Sequence, residues 1–266
     1  MESEYLITSS SNQVVKLARS LLQRKKRDES GLFLVEGIHL VSSLFEAGWN
    51  VYTILYSPEL LSSDYGHQLV EQQEQQGTRC YRISPDLFRK ISGKDNPQGI
   101  IAIAYQQTHK LEDLDTRIFQ WGIAIVSPQD PGNVGTIIRT LESVGADGLI
   151  LLDGGVDPYH PSCVRAGMGA LFWKPILKSS YMEMASWAHS NGYQLIGTSA
   201  HAENDYRILS TVKKPCILLL GSEQKGLSDE QLNSCDIVVS LPMRGHSTSL
   251  NLSIAAGILM YSMFSE

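Results

Sequence analysis

Residues Gly122 to Leu152 read GIAIVSPQDPGNVGTIIRTLESVGADGLILL, and this stretch decides the fold. It opens on an apolar run, Gly122 to Val126, the pattern of a buried strand. The next residues, Ser127-Pro128-Gln129-Asp130-Pro131-Gly132, are turn-formers that cannot continue a strand. Asn133 to Val144 then carries the spacing of a helix, with Gly145 as its stop. Gly148 to Leu152 is a second apolar strand. Strands alternating with helices predict a mostly parallel sheet of the α/β class.

The alternation continues to the C-terminus. Tyr181 to Ser190 reads as a helix, and Tyr193 to Gly197 and the strongly apolar Cys216 to Leu220 as strands. Ser228 to Asn233 reads as a short helix with Ser228 as N-cap and Gln231 three residues on. Ile237 to Leu241 is the last strand, and Ser249 to Met263 the closing helix. Upstream, the spacing predicts helices over Asn12 to Leu22, Gly37 to Ala47 and Tyr65 to Gln76. Strands are expected at Leu32 to Val35, Val51 to Tyr56, Cys80 to Ile83 and Ile100 to Ala104. Gln106 to Phe119 is polar and reads as a linker. Two domains are therefore expected, a small α/β domain over residues 1–107 and a larger one over 118–266. No internal repeat or low-complexity tract is visible.

Apolar residues make up 42% of the chain and charged residues 19%, a composition that folds rather than stays disordered. The longest apolar runs, Ile217 to Leu220 and the glycine-containing Ile254 to Tyr261, fall far short of the roughly 20 residues a membrane span needs. The opening MESEYLITSS has two acids and no apolar core, unlike a signal peptide. These features predict a soluble, cytoplasmic protein with no membrane partner. The cysteines, Cys80, Cys163, Cys216 and Cys235, form no CxxC pair and have no histidine at ligand spacing. Buried reduced thiols are expected, and no metal.

The net charge of −6 argues against a protein that coats nucleic acid by charge alone. The distribution is more telling. Lys16, Arg19, Arg24, Lys25, Lys26 and Arg27 are positive charges within a twelve-residue window that holds no acid. They form either a strip that contacts phosphates or a solvated helix face, and composition leaves both open.

Parallel α/β sheets bind ligands beyond the carboxyl ends of their strands. There lie three loops rich in Gly, Pro, Asn, Ser and charge: SPQDPGNVGTIIRT after Val126, GSEQKGLS after Leu220, and LPMRGHSTSLN at the end of the last strand. No GxGxxG opens a helix; GGVDP (Gly154 to Pro158) lacks the pattern and GMGA (Gly167 to Ala170) offers a lone GxG. No Walker A sequence is present. Enzymes of nucleoside diphosphates therefore lose ground.

The three loops resemble the three motifs of the SpoU (TrmH-like) branch of the SPOUT superfamily of RNA methyltransferases. Asp130-Pro131-Gly132-Asn133-Val134-Gly135 with Arg139-Thr140 resembles the first motif, and Gly221-Ser222-Glu223-Gln224-Lys225-Gly226-Leu227-Ser228 the second. Leu241-Pro242-Met243-Arg244-Gly245 with Ser249-Leu250-Asn251-Leu252-Ser253 resembles the third. The resemblance covers about residues 120 to 264. Phe33-Leu34-Val35-Glu36-Gly37 is similar, more weakly, to the small substrate-binding domain that often precedes this catalytic domain. The resemblance implies a C-terminal trefoil knot, which general rules about unknotted chains would not predict. It also implies an obligate homodimer and S-adenosylmethionine as cofactor. In place of the acid that many relatives carry before Ser-Leu-Asn, this chain has Thr248.

By resemblance, Gly221, Leu241 and Leu250 contact S-adenosylmethionine through their backbones, Met243 and Ser249 lie close by, and Thr198 joins the cofactor set. Leu241 and Leu250 would also offer apolar walls. Asn133, Arg139, Glu223 and Asn251 form the implied catalytic set. In a helix, Asn133 and Arg139 are about 600° apart, so they share no face unless Asn133 precedes the helix, as Pro131-Gly132 suggests. Arginine does not practically deprotonate. Arg139 therefore reads first as a phosphate clamp that places the ribose hydroxyl and stabilises the developing alkoxide; the resemblance also leaves open a role as base, which would need a large pKa shift. Glu223 could orient Arg139, hold Asn133 or take a proton through water. Ser249 and Asn251 would open the last helix, and His246 reads as a solvent-facing loop residue. Lys16, Arg24, Lys25, Lys26 and Arg27 are the candidate RNA contacts.

The reading is methyl transfer from S-adenosylmethionine to a ribose 2′-hydroxyl, most plausibly in ribosomal RNA because the extra domain suits a structured target. Transfer RNA is the first alternative. A non-catalytic RNA-binding or ribosome-assembly protein on the same fold is the second, and a small-molecule α/β enzyme the third.

Overall fold

A computed structural model describes residues 5–92, 94–246 and 249–264. Thr248 and the first four residues of the stretch read for a leader lie outside the described residues. The chain divides into two compact units, residues 1–107 with 159–165, and residues 108–158 with 166–266.

In the first unit, helices α1 (Gln13–Ser20) and α2 (Arg24–Ser30) lead into β1 (Leu32–Glu36), α3 (Ile38–Glu46), β2 (Val51–Tyr56), α4 (Asp64–Gln75), β3 (Cys80–Arg82), α5 (Pro85–Ser92) and β4 (Ile100–Tyr105). The sheet order is β1-β4-β2-β3. β4 is antiparallel to both neighbours and β2–β3 is parallel. Val15, Ala18 and Leu21 from α1 pack with Leu87, Phe88 and Ile91 of α5 over this sheet. Alternation along the sequence does not disclose the return of residues 159–165 to this unit. There the buried Tyr159 ring lies 4.7 Å from Phe33, and its hydroxyl donates to the Gln107 carbonyl at 2.7 Å.

The second unit carries β5 (Trp121–Val126), α6 (Pro131–Ser143) and β6 (Gly148–Leu152). The short α7 (Pro161–Ala166) follows, falling almost wholly in the first unit. Then come β7 (Ile176–Ser179), α8 (Tyr181–Ser190), β8 (Gln194–Thr198), β9 (Asn204–Asp205), β10 (Cys216–Leu220), α9 (Asp229–Asn233), β11 (Ile237–Ser240) and α10 (Leu252–Met263). All seven strands pair in parallel, in the order β7-β6-β5-β10-β8-β11-β9. The strands β7 and β9 were not legible in the sequence. The apolar β5, β6 and β10 are wholly buried, as a covered parallel sheet requires. Two aspartates set register at the amino ends of strands: Asp147 accepts from the Gln120 and Trp121 amides, and Asp236 from the Leu195 amide, each at 2.7 Å. The segment expected to be a linker is partly core, since Leu111 and Phe119 are buried in this unit.

Among the described residues no helix is long and apolar enough to cross a membrane, and no three His, Cys, Asp or Glu side chains gather as a metal site. Burial pushes the Cys80 thiol up to about 12 and the Cys216 and Cys235 thiols up to about 11. They stay protonated at neutral pH and therefore poor metal ligands.

The expected basic strip is corrected in part. Arg27 is 1% exposed. Its guanidinium donates to the carbonyls of Leu21 and Leu22 at 2.8 and 3.1 Å, closing the C-terminal end of α1, where a cation is favoured. It is a structural residue, not a phosphate contact. Arg27→Ala is expected to lower unfolding free energy by about 1.5–3 kcal/mol, the range for hydrogen bonds from a charged group. Chemical denaturation should read this as a lower midpoint at unchanged slope.

Candidate active site at the carboxyl ends of the parallel strands

The three glycine- and asparagine-rich loops meet beyond the carboxyl ends of β5, β10 and β11. Asp130 caps α6, its Oδ1 accepting from the Asn133 amide at 2.9 Å. The cap starts the helix at Pro131, so Asn133 lies in its first turn and not in the preceding loop. Asn133 and Arg139 consequently point to different sides of α6.

Glu223 reaches across from the loop after β10. Its Oε2 accepts from the Gln129 amide at 3.1 Å, and its Oε1 accepts from the Asp130 amide and from Asn133 Nδ2, each at 3.3 Å. Asn133 Oδ1 in turn accepts from Asn251 Nδ2 at 3.0 Å. Asn251 caps α10 by accepting from the Ser253 amide at 2.9 Å and the Ser253 hydroxyl at 2.7 Å. One carboxylate and two carboxamides thus tie together three segments that are far apart in sequence. Three donors meet the oxygens of Glu223.

Arg139 is exposed on α6, and among the described residues its guanidinium forms no ion pair or hydrogen bond. It stays available for an anion and is not held by Glu223.

The residues expected around a cofactor lie at the ends of three adjacent strands. Thr198 ends β8, its hydroxyl donating to the Leu219 carbonyl at 3.2 Å. Gly221 follows β10 and is buried. Leu241 is half-buried just after β11, Met243 and Leu250 are each 37% exposed, and Ser249 is exposed. Ser249 does not cap α10, because the helix begins three residues later, at Leu252. His246 is exposed, as expected. The close approach at Gly221 comes from the chain itself: a Cβ there would stand 2.2 Å from the Gly226 carbonyl carbon and 2.5 Å from the Leu227 nitrogen. Backbone groups beside partly exposed Leu241, Met243 and Leu250 suit a flat, neutral adenine with its sulfonium-bearing arm, so the residues fit S-adenosylmethionine.

Sequence reasoning missed the backing of this site. Ser127 and Asp153, at the ends of β5 and β6, have φ of 42° and 54°, a conformation that costs non-glycine residues energy and clusters near functional sites. A Cβ on Gly155 would lie 2.4 Å from the Pro128 carbonyl oxygen, and the Val156 amide donates to that oxygen at 3.0 Å. This packing holds the loop whose next two amides bind Glu223. The Gly154-Gly155 pair is the signal in the sequence that marks this close approach.

Residues 121–261 match the SpoU rRNA methylase family, and residues 12–102 match the MRM3-like substrate binding domain. The chain is 32% identical to a 23S rRNA (uridine(2479)-2′-O)-methyltransferase of Streptomyces viridochromogenes, over 96% of this chain and 90% of that protein. It is 29% identical to a 23S rRNA (guanosine(2553)-2′-O)-methyltransferase of Bacillus subtilis, over 97% and 98%. Among solved structures, the AdoMet-bound rRNA methyltransferase of Sinorhizobium meliloti superposes with a TM-score of 0.88 at 33% identity, covering 97% of each chain.

Proposed function

The chain belongs to the SpoU rRNA methylase family, and from that premise we propose that it transfers a methyl group from S-adenosylmethionine to a ribose 2′-hydroxyl of ribosomal RNA. The observation that carries this reading is the Glu223–Asn133–Asn251 network, which draws the three loops to one place. Thr198, Gly221, Leu241, Met243, Ser249 and Leu250 hold the cofactor. When bound, S-adenosylmethionine supplies a methyl group already activated by its sulfonium. The protein's part is to align the ribose oxygen with that methyl and to exclude water. Glu223 and Asn251 position Asn133 and the 129–130 amides, and Arg139 grips a phosphate and steadies charge on the ribose oxygen. No step assigned to these residues calls for a metal. Such a substrate places the enzyme with the ribosomes, in the cytoplasm.

The test is transfer of labelled methyl to ribosomal RNA from cells lacking this gene, with 2′-O-methyl positions mapped by resistance to alkali. One new resistant position is expected. Label that enters transfer RNA instead, or enters a base, would overturn the assignment. In calorimetry, S-adenosylmethionine should bind equally with and without chelator; binding that vanishes with chelator would count against a metal-independent site.

We propose further that the active form is a homodimer formed through α6 and α10. Ile254 is 55% exposed, and Ile258, Tyr261 and Phe264 are also exposed. With Ile254, Ile258 and Tyr261 at helical spacing, they form an apolar stripe that a lone helix would not leave in water. Flanking that stripe, α10 meets α6 near Thr140, 3.9 Å from where a Gly257 Cβ would be, while Ala256, Leu259, Met260 and Met263 form its buried face. The knotted threading belongs to the same proposal. What supports it is that Asn251, beyond the end of β11 in the chain, hydrogen-bonds to Asn133 on α6. Ile258→Asp should give a monomer by light scattering and abolish transfer. An unaltered chain that is monomeric at low micromolar concentration yet methylates RNA would sink the dimer.

A further inference from the structure

The strip expected to meet RNA is largely neutralised by its own helix. Arg24 pairs with Asp28 at 3.6 Å, Lys25 and Lys26 pair with Glu29 at 3.9 and 2.6 Å, and Arg27 is buried. A different surface of the first unit has the chemistry that the strip lacks. An open groove of about 850 Å³ runs between the first turn of α1 and the 76–79 turn before β3, with Tyr52 and Tyr81 along it. Among the described residues no carboxylate lines it, and Arg79 does. The Arg79 carbonyl accepts from the Ile54 amide at 2.9 Å and from Thr53 Oγ1 at 2.7 Å. Its main chain is therefore fixed while its side chain is exposed. Lys16, also exposed, is not part of the lining but lies one helical turn on from Asn12, which is.

The aromatic element is placed by an irregularity in the sheet. The register of β2 against β4 slips between Val51 and Thr53, and a bulge of this kind re-aims a side chain. Thr53 turns inward and is buried, whereas Tyr52 stays 47% exposed. Its ring is met edge-on by Tyr105, itself 45% exposed, at 6.2 Å and 78°. An exposed, braced aromatic face beside a guanidinium, in a groove that no described carboxylate lines, is the chemistry that receives unpaired nucleotides. Bases stack on the ring and a phosphate meets the fork of the arginine. The volume lies within the range of pockets that enclose whole small ligands, roughly 300–1,000 Å³, so at least one nucleotide fits.

We infer that this groove binds an unpaired segment of the substrate RNA, a base stacking on Tyr52 and a phosphate held by Arg79 and Lys16. The inference rests on the RNA-methyltransferase reading and adds to it the surface by which the first unit selects its substrate.

The test measures binding of a fluorescent, unstructured 12-nucleotide RNA of mixed sequence to the whole chain by anisotropy across a salt series. Tyr52→Ala is expected to weaken binding roughly tenfold, and Tyr52→Phe, which keeps the stacking face, to restore most of it. Arg79→Ala should weaken binding several-fold and reduce the salt slope by about one. Lys25→Ala, in the self-paired strip, should stay within about twofold. Parental affinity in both Tyr52→Ala and Arg79→Ala would overturn the groove, as would the absence of saturable binding by the unaltered chain. If both variants bind the RNA normally but methylate intact ribosomal particles poorly, the groove receives a protein of the particle and the RNA assignment fails. Calorimetry with S-adenosylmethionine separates the two readings. The variants should keep parental cofactor affinity, whereas an unaltered chain that binds the RNA but no cofactor would overturn the methyltransferase reading and leave the groove standing.

Discussion

Arg139→Ala is expected to abolish methyl transfer while leaving S-adenosylmethionine affinity within a few-fold of the parent. The guanidinium is exposed on α6 and, among the described residues, held by no carboxylate, so removing it disturbs no internal contact and should leave the melting temperature nearly unchanged. What is lost is a charge-assisted contact to phosphate, worth about 1.5–3 kcal/mol, together with the placement of the ribose hydroxyl, which adds to that figure. A fall of at least about 100-fold in the single-turnover rate is expected. Arg139→Lys should rescue little, because a point charge cannot reproduce the planar two-pronged contact. The measurement pairs single-turnover methylation with cofactor titration. Transfer at a near-parental rate would remove Arg139 from the catalytic set, and loss of cofactor binding would move it to the cofactor pocket or to the fold.

Gly221→Ala is the second change with a large expected effect, and it acts through the backbone. The new Cβ would meet the Gly226 carbonyl carbon at 2.2 Å, and Gly226 Cα and the Leu227 nitrogen at 2.5 Å. These are main-chain atoms, so no rotamer change relieves the clash. The loop after β10 must shift, and Glu223 moves with it away from the Gln129 and Asp130 amides. Overpacking of this kind costs about 1–3 kcal/mol. The variant should melt at lower temperature and bind S-adenosylmethionine at least about tenfold more weakly. Gly226→Ala gives the comparison. Its φ is +66° but a Cβ there would meet nothing within 4 Å, so only the left-handed strain of about 1–2 kcal/mol applies, and cofactor affinity should fall less. Equal affinities in the two variants would show that the close approach at Gly221 is not what shapes the site.

Much of the second unit was legible because its elements announce themselves locally. The runs at Gly122 to Val126, Gly148 to Leu152 and Cys216 to Leu220 are all strands. The capping box of Ser228 and Gln231 forms as read. β7 escaped because Ile176–Ser179 is short and half polar, and α5 because it is only eight residues long. The basic strip misled because its window closed one residue before Asp28 and two before Glu29. Nothing local marks Arg27 as the cation that closes α1.

By itself the sequence determined most of the strands and helices, that the larger sheet is parallel, and where the three motif loops lie in the chain. Each of these depends on side-chain periodicity, turn residues or motif order within a few tens of residues. Only the tertiary structure decided who sits beside whom. β10 enters the sheet between β5 and β8, and its apolar run would fit any buried position equally well, so the order is set by the packing of the whole unit. The same holds for the Asn133–Glu223 bond, across 90 residues, and the Asn133–Asn251 bond, across 118. A hydrogen bond is a matter of ångströms and angles, and those exist only once the sheet has brought the ends of its strands together.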